Sequence, residues 1–517
     1  MAQETQEFEI FKLDIKPKNG ESLDIRMIYD KITIVESIFQ NYILGQIDII
    51  DSNSLIEELP ILGEETIEME IGYPTSSKRK KEKMELKGIV YKIDNRQRVG
   101  TAQSLEKYSL HFIHEISEKN KTLRISKTYK DGKISEYVSK IFNDSFPDVK
   151  IKSEQTEGKF EINIPNLSPI SSINFLSKFA YKNEGKENLF YFYQDRDKFN
   201  FKSLEQMIKE SESAFSEEKT INFEIMSNAG TNNKTAAQIR KYNQEQIKDI
   251  ANTIDMAREK GEDDMADLLL ETSGSLYEAL TYLPDAKVIL KGDESDVYQA
   301  EGYVLKNPFN NIESSDVGYF GFTNYANDIL TKSSENVRYN YSEDFKKMPS
   351  LNPRETKDSD YEISENPHNT KIYSKPSYIE REFSEYMKEI LGEDSPFIID
   401  HFTEVRDPLC NTKKERFAYS PTFLVSMPGT FNLKLGEVAN CKYPSFKVSG
   451  NTRERRYTDD KWYSGKYIIS TITHTFFKGN TWQCDFELIS DSIKDGKSSK
   501  KLDYNLPDDR PDWIKGL

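Results

Sequence analysis

The sequence predicts a mainly β chain of the α+β class. Three observations carry that prediction. Apolar and polar residues alternate with period two over long stretches near both ends. Between them, residues 131–205 change to helical spacing followed by an aromatic hairpin. The apolar share is only 36%, yet there are 29 Tyr and 29 Phe, residues that can build β-rich cores and contact surfaces, so a globular rather than a disordered chain is expected. At 517 residues the chain is too long for one core, and roughly three or four domains are expected.

Residues 1–130 read as a β domain. In "TIEMEIGYP", Ile67, Met69 and Ile71 share one face and Glu68 and Glu70 the other. "YSLHFIHEIS" puts Tyr108, Leu110, Phe112, His114 and Ile116 on one face. "LGQIDIIDSNSL" continues the pattern into an Asp/Ser/Asn turn, and "SSKRKKEK", Ser76 to Lys83, reads as a charged, solvated hairpin tip.

Residues 131–205 read as a small α+β domain. Ile134, Tyr137, Val138 and Ile141 predict one helix, stopping near Asn143-Asp144. Ile173, Leu176, Phe179 and Ala180 predict a second, ending at Gly185. "NLFYFYQDRDKFNFKSL" predicts the hairpin.

Residues 206–335 read as a helical and irregular insertion whose strands complete neighbouring domains. Its apolar stripe of Ile239, Ile247, Ile250 and Ile254, with Gly261 as a stop, is a packing face. Residues 336–415 form a polar linker with one helix, marked by Ile379, Phe383, Met387, Ile390 and Gly392. Residues 416–493 return to β. There "LVSMPGTFNLKLGEVANCKYP" reads as three strands separated by Pro428-Gly429 and Gly436 turns. "GKYIISTITHTFFKGNTWQCDFELIS" reads as a hairpin turning at Lys478-Gly479-Asn480, with Trp482, Cys484, Phe486 and Leu488 inward. Residues 494–517 form a polar tail.

Chemistry is hard to find. The net charge of -16 argues against a general nucleic-acid-binding surface. Cys410, Cys441 and Cys484 are odd in number and far apart, which indicates neither a zinc site nor a disulfide framework and fits a reducing cytosol. The N-terminus has no signal-peptide pattern, and no apolar run is long enough to span a membrane. "HFIHE" is the densest candidate metal cluster, but a strand sends His111 and His114 to opposite faces, and the spacing matches neither HExxH nor its inverted form. Glu64 and Glu65 are adjacent and diverge, so they make a poor acid pair. Cys441 or Cys484 with His474 could form a nucleophile–base pair, yet Cys484 lies on an apolar face, where a thiol is inert. Asn120 and Asn233 sit in glycosylation-type triplets that carry no meaning without a signal peptide. No catalytic, cofactor-binding or metal-ligating residue is assigned.

Two segments carry a family resemblance. "TIVESIFQNYILGQIDIIDSNSLIEELPILGEETIEMEI", Thr33 to Ile71, has a strand, a Gly-centred turn, a strand ending in Asp, an "LPILGEE" link and an acidic strand. Near the other end come "PGTFNLKLGEV", then GxYxIxxIxHxF, then a last strand ending in Asp. In this order the chain resembles the baseplate central hub proteins of contractile-tailed bacteriophages. With the 131–205 block the resemblance spans roughly half the chain, and residues 206–400 lie outside it.

The resemblance implies two tube-like antiparallel β-barrel domains per protomer, in residues 1–130 and 416–493, and a homotrimer presenting a ring of six such domains. That ring adapts a sixfold tail tube to a threefold cell-puncturing spike and forms part of the DNA channel. The implied partners are the spike protein with its OB-fold, the tube protein, other baseplate proteins and the end of the tape-measure protein. No sequence-specific nucleic-acid binding, cofactor or enzymatic activity is implied. Assembly in the host cytoplasm and residence in the virion tail baseplate follow. Glu68, Glu70, Asp485 and Glu487 are candidates for a negative lumen that repels phosphates. Two alternatives stand beside this reading. One is the hub of another contractile injection system, which a fused spike repeat would mark; none follows the last strand. The other is a tail-associated peptidoglycan-degrading enzyme, which requires two convergent acids in a cleft.

Overall fold

A computed structural model describes residues 7–18, 20–52, 55–58, 61, 63, 65–74, 83–98, 105–182, 187–213, 220–223, 297–300, 302–306, 321–328, 333–340, 345, 350–354, 370–374, 417, 420–449, 456–460, 462–479 and 481–494. The apolar stripes expected at 236–261 and 377–392, and the charged tip before Lys83, lie outside these residues.

Both β regions belong to one sheet of fourteen strands. Its main path runs through Val297–Ala300, Thr220–Phe223, Val438–Lys442, Gly465–Phe477, Tyr29–Ser37, Leu44–Asp51, Glu106–His114, Lys83–Arg98, Thr66–Gly72, Glu9–Lys16 and Leu23–Asp24. A branch leaves Gly465–Phe477 for Thr481–Ile489, Thr422–Pro428 and Gly302–Lys306. Pairing is antiparallel except along Thr220–Phe223, which runs parallel to both of its neighbours. Among the described residues this sheet runs from edge to edge and does not close into a barrel.

The strand Gly465–Phe477 is the joint between the two ends of the chain. Its first part, Gly465 to Ile468, pairs with Cys441 to Val438. Its second part, Thr471 to Phe477, pairs with Ser37 to Lys31. The change of partner falls at Ser470, where the hairpin register with Thr481–Ile489 also shifts. A bulge bends a strand and re-aims its backbone groups. Here the Ser470 carbonyl accepts the Ile38 N–H at 3.0 Å and the Ser37 hydroxyl at 3.3 Å. One continuous core follows, with Leu13, Ile34 and Leu110 from the N-terminal strands beside Val425, Trp482 and Phe486 from the C-terminal ones.

The middle block has a core of its own. Helix Ile134–Ser145 buries Ile134, Tyr137, Val138 and Ile141, as its spacing predicts. The hairpin Phe190–Gln194 and Phe199–Ser203 forms as read, joined in parallel by Ile151–Ser153. Phe142, Phe192 and Phe199 pack ring against ring between these layers.

Several elements differ from the sequence reading. The second helix is Pro169–Leu176, earlier than expected. Ser168 caps it by accepting the Ser171 N–H at 3.3 Å, with Pro169 at the first helical position. Phe179 and Ala180 therefore follow the helix rather than extend its stripe. The strand through His114 stops there, and Ile116 opens a short helix, Ile116–Thr122. Gly45 is no turn residue. It lies inside Leu44–Asp51, where a Cβ would stand 1.9 Å from Cζ of Phe112, so the ring occupies the space a side chain would need. The middle of "LVSMPGTFNLKLGEVANCKYP" is not a strand either. Phe431, Leu433 and Leu435 are buried alternately, yet the segment has no ladder partner among the described residues. Its backbone bonds go to side chains instead. The Phe431 N–H donates to the Tyr73 hydroxyl at 3.1 Å, and Arg196 Nη2 donates to the carbonyls of Phe431 and Leu433, both at 3.1 Å.

Candidate functional site

A buried cluster of a histidine, a cysteine, a glutamate and an arginine lies inside the seam between the two β regions. His474 sits on the inward face of its strand between Ile472 and Phe476, directly across the hairpin from Cys484. Glu36 points inward from the neighbouring strand, in line with Ile32 and Ile34. Arg196 reaches in from the turn of the middle block's hairpin. That turn is fixed by Asp195, whose Oδ1 accepts the N–H groups of Asp197 and Lys198 at 2.8 Å. His474 Nε2 lies 3.0 Å from Glu36 Oε1, and Cys484 Sγ lies 3.1 Å from His474 Nδ1. Arg196 Nε is 3.4 Å from the same Glu36 oxygen.

A neutral imidazole satisfies both of its contacts: Nε2–H donates to Glu36, and Nδ1 accepts the Cys484 S–H. Burial pushes the His474 imidazole below its ordinary value, Glu36 pulls it up, and Arg196 pushes it down. Burial also pushes the Cys484 thiol well up. The charges in the group are the Glu36 carboxylate and the Arg196 guanidinium, which is 11% exposed. Glu36 Oε2 has no hydrogen-bond partner among the described residues.

In connectivity this is a thiol, an imidazole and a carboxylate in series. A nucleophilic site of that type needs a thiolate and an open approach to sulfur. Cys484 and His474 are both 0% exposed, walled by Phe431, Phe476 and Trp482, and the thiol is held protonated. The arrangement can instead fix three chain segments in one geometry. Glu36 comes from the N-terminal strands, Arg196 from the middle block, and His474 with Cys484 from the C-terminal hairpin. Arg196 adds the two carbonyls of the 431–433 segment and packs its guanidinium over the Phe431 ring at 5.4 Å. The middle block is pinned to the N-terminal strands a second time, where Gln194 Oε1 accepts the Ile43 N–H at 3.0 Å.

Sequence reasoning named His474 and Cys484 but missed Glu36 and Arg196. A glutamate at an inward position of "KITIVESIF" was the available signal, since a carboxylate between Ile34 and Ile38 demands a partner. Nothing local marks Arg196.

The other candidates separate. His111 Nε2 stands 3.8 Å from Asp94 on the polar face, while His114 packs its ring on Phe199 at 5.3 Å on the opposite face. Burial pushes His114 down to about 4. Glu115 is exposed at the start of the following helix. Glu65 is buried and accepts the Gly63 N–H at 2.9 Å; Glu64 lies outside the described residues. Cys441 is buried, its thiol pushed well up by desolvation. Asn120 Oδ1 accepts the Ile170 N–H at 2.9 Å, at the start of the second helix. Asn233 lies outside the described residues.

The proposed acidic face needs correction at the N-terminal end. Glu68 pairs with Lys12 and Lys87, and Glu70 with Lys83, so this face is a ladder of mixed charge. Asp485 accepts Ser426 and Gln483, and Glu487 accepts the Thr471 hydroxyl at 3.1 Å. Among the described residues no group of three or more His, Cys, Asp or Glu could hold a metal ion, and no helix is long and apolar enough to cross a membrane.

Fold and site together define a mainly β protein of the α+β class whose two ends share one sheet around a sealed polar seam. The chain matches no protein-family model and no curated protein. Among solved structures it is similar to the tail protein from Neisseria meningitidis MC58, at 8% identity over 94% of this chain and 97% of that one, with a TM-score of 0.45. It is similar to the 43 kDa tail protein of prophage MuSo2 from Shewanella oneidensis, at 8% identity over 93% and 98%, with a TM-score of 0.46. A further likeness is to the Escherichia coli c3393 protein, a component of the type VI secretion system, at 6% identity over 94% and 77%, with a TM-score of 0.37.

Proposed function

We propose that this chain is the central hub of a contractile-tail baseplate and that its work is mechanical. Three copies form a ring whose two β regions per copy serve as tube-like modules, six facing the tail tube, with the opposite side of the ring receiving a trimeric spike. Other baseplate proteins and the end of the tape-measure protein contact it, and DNA passes through its centre. The chain assembles in the host cytoplasm and resides in the virion tail, and it performs no bond chemistry.

The observation that carries this reading is the hydrogen bond between Glu36 and His474, 438 residues apart. Glu36 belongs to the first hub-like segment and His474 to the second, and each is buried against the other. The two segments that resemble a hub are therefore one structural unit. The same contact leaves the thiol–imidazole–carboxylate group, the most enzyme-like among the described residues, without access to a substrate.

The test is the mass of the purified chain in solution, alone and with the spike protein, followed by imaging of the particle. A threefold ring with an open centre is expected, at least in the presence of the spike. A stable monomer that binds neither spike nor tube would overturn the proposal. Reproducible lysis of peptidoglycan, abolished by one carboxylate substitution, would favour the enzymatic alternative. Assembly with secretion-system components alone would favour the other injector.

A further inference from the structure

The ladder of the C-terminal hairpin ends at the pair Ile468↔Ile489, and beyond it a third segment closes the gap. The carboxamide of Asn352 replaces the missing strand neighbour. Its Oδ1 accepts the Lys466 N–H at 2.9 Å and its Nδ2 donates to the Lys466 carbonyl at 2.9 Å. The same Nδ2 donates to Ser490 Oγ at 2.8 Å and to the Ser492 carbonyl at 3.2 Å. The backbone on either side is held as well. The Leu351 N–H donates to Asp491 Oδ1 at 3.0 Å and the Asn352 N–H to Ser492 Oγ at 2.7 Å. Arg354 and Ile493 exchange backbone bonds at 3.1 and 2.9 Å. Gly465, at φ +147, leaves the room: a Cβ there would stand 2.4 Å from Asn352 Oδ1.

This contact differs in kind from the seam. The seam is packed with many rings and aliphatic side chains, whereas residues 350–354 send one apolar side chain, Leu351, into that same core, lay the Arg354 guanidinium over the Trp462 ring at 5.3 Å and are otherwise held by polar bonds. Segments with few apolar contacts open locally, at lower cost than the global transition.

We propose that residues 350–354 form a latch, closed by the Asn352 side chain across residues 465–466 and 490–493, which opens as one unit while the seam stays shut. The latch gives the C-terminal end of the sheet a clasp that moves independently of the joint between its two halves.

Native-state hydrogen exchange on the full chain tests this. The amides of Leu351, Asn352, Arg354, Lys466 and Ile493 are expected to exchange through one common opening, faster than those of Ile38 and Val90, which bond within the sheet region at 3.0 and 2.8 Å. Asn352→Ala and, separately, Gly465→Ala should speed all five by a common factor of about tenfold or more and leave Ile38 and Val90 unchanged. The latch is refuted if the five amides of the unaltered chain exchange no faster than Ile38 and Val90. It is also refuted if a variant accelerates only some of the five. The comparison within the unaltered chain decides the matter even if both variants fail to fold.

Discussion

Glu36 Oε1 receives His474 Nε2 at 3.0 Å in the buried centre of the sheet, and the same oxygen faces Arg196 Nε at 3.4 Å. One carboxylate thus holds partners from two other parts of the chain. A buried charge adds little stability while it is paired, but removing one partner strands the rest.

Replacing Glu36 by Ala leaves Arg196 and His474 without their acceptor. A loss of about 3 kcal/mol is expected, read as a lower urea midpoint with unchanged slope. Glu36→Gln should cost less. A double-mutant cycle of Glu36→Gln with His474→Gln should show coupling, because the two residues share one hydrogen bond; strict additivity would mean that the contact is not made.

Cys441 and Cys484 should resist a maleimide in the folded chain and react once urea unfolds it, as mapped by peptide mass. Both are 0% exposed, and desolvation keeps both thiols protonated. Rapid native labelling of Cys484 would contradict the sealed seam.

Stability should fall in mild acid. Burial lowers His114 from an ordinary value of 6.5 to about 4, so the unfolded chain binds the extra proton first. The stabilisation is complete above pH 6.5 and is lost as pH falls through 4. His474 acts in the same direction, since burial lowers it too. Urea midpoints measured from pH 8 to 4 should be level and then decline, and His114→Phe should soften the decline.

Gly45→Ala should destabilise by about 1–3 kcal/mol, because the new Cβ collides with the Phe112 ring. Phe112→Leu in the same chain should recover part of the loss in thermal melts. Full tolerance of Gly45→Ala alone would show that the ring lies elsewhere.

Much of the fold was legible in local pattern. Ile67, Met69 and Ile71 face the core because strand period fixes which side they share. The C-terminal hairpin and the helix Ile134–Ser145 follow from spacing in the same way. Misreadings arose where two signals competed. Ile173 to Ala180 looked helical by period, but the capping serine and proline at 168–169 set the start earlier, and the turn after Leu176 set the end. Phe431 to Leu435 alternates like a strand and is buried like one, yet Arg196 and Tyr73 take the bonds that a ladder would make.

The sequence by itself determined that Trp482, Cys484, Phe486 and Leu488 share one inward face, and it named His474 as a possible neighbour of Cys484. It could not say what stands opposite them, because period is a property of one segment and partnership is a property of two. Only the tertiary structure placed Glu36 and Arg196 beside His474, joined both β regions at the Ser470 bulge and set Asn352 into the end of the hairpin. Those contacts span more than a hundred residues each, and they form because a buried polar group must find a partner wherever the folded chain brings one near.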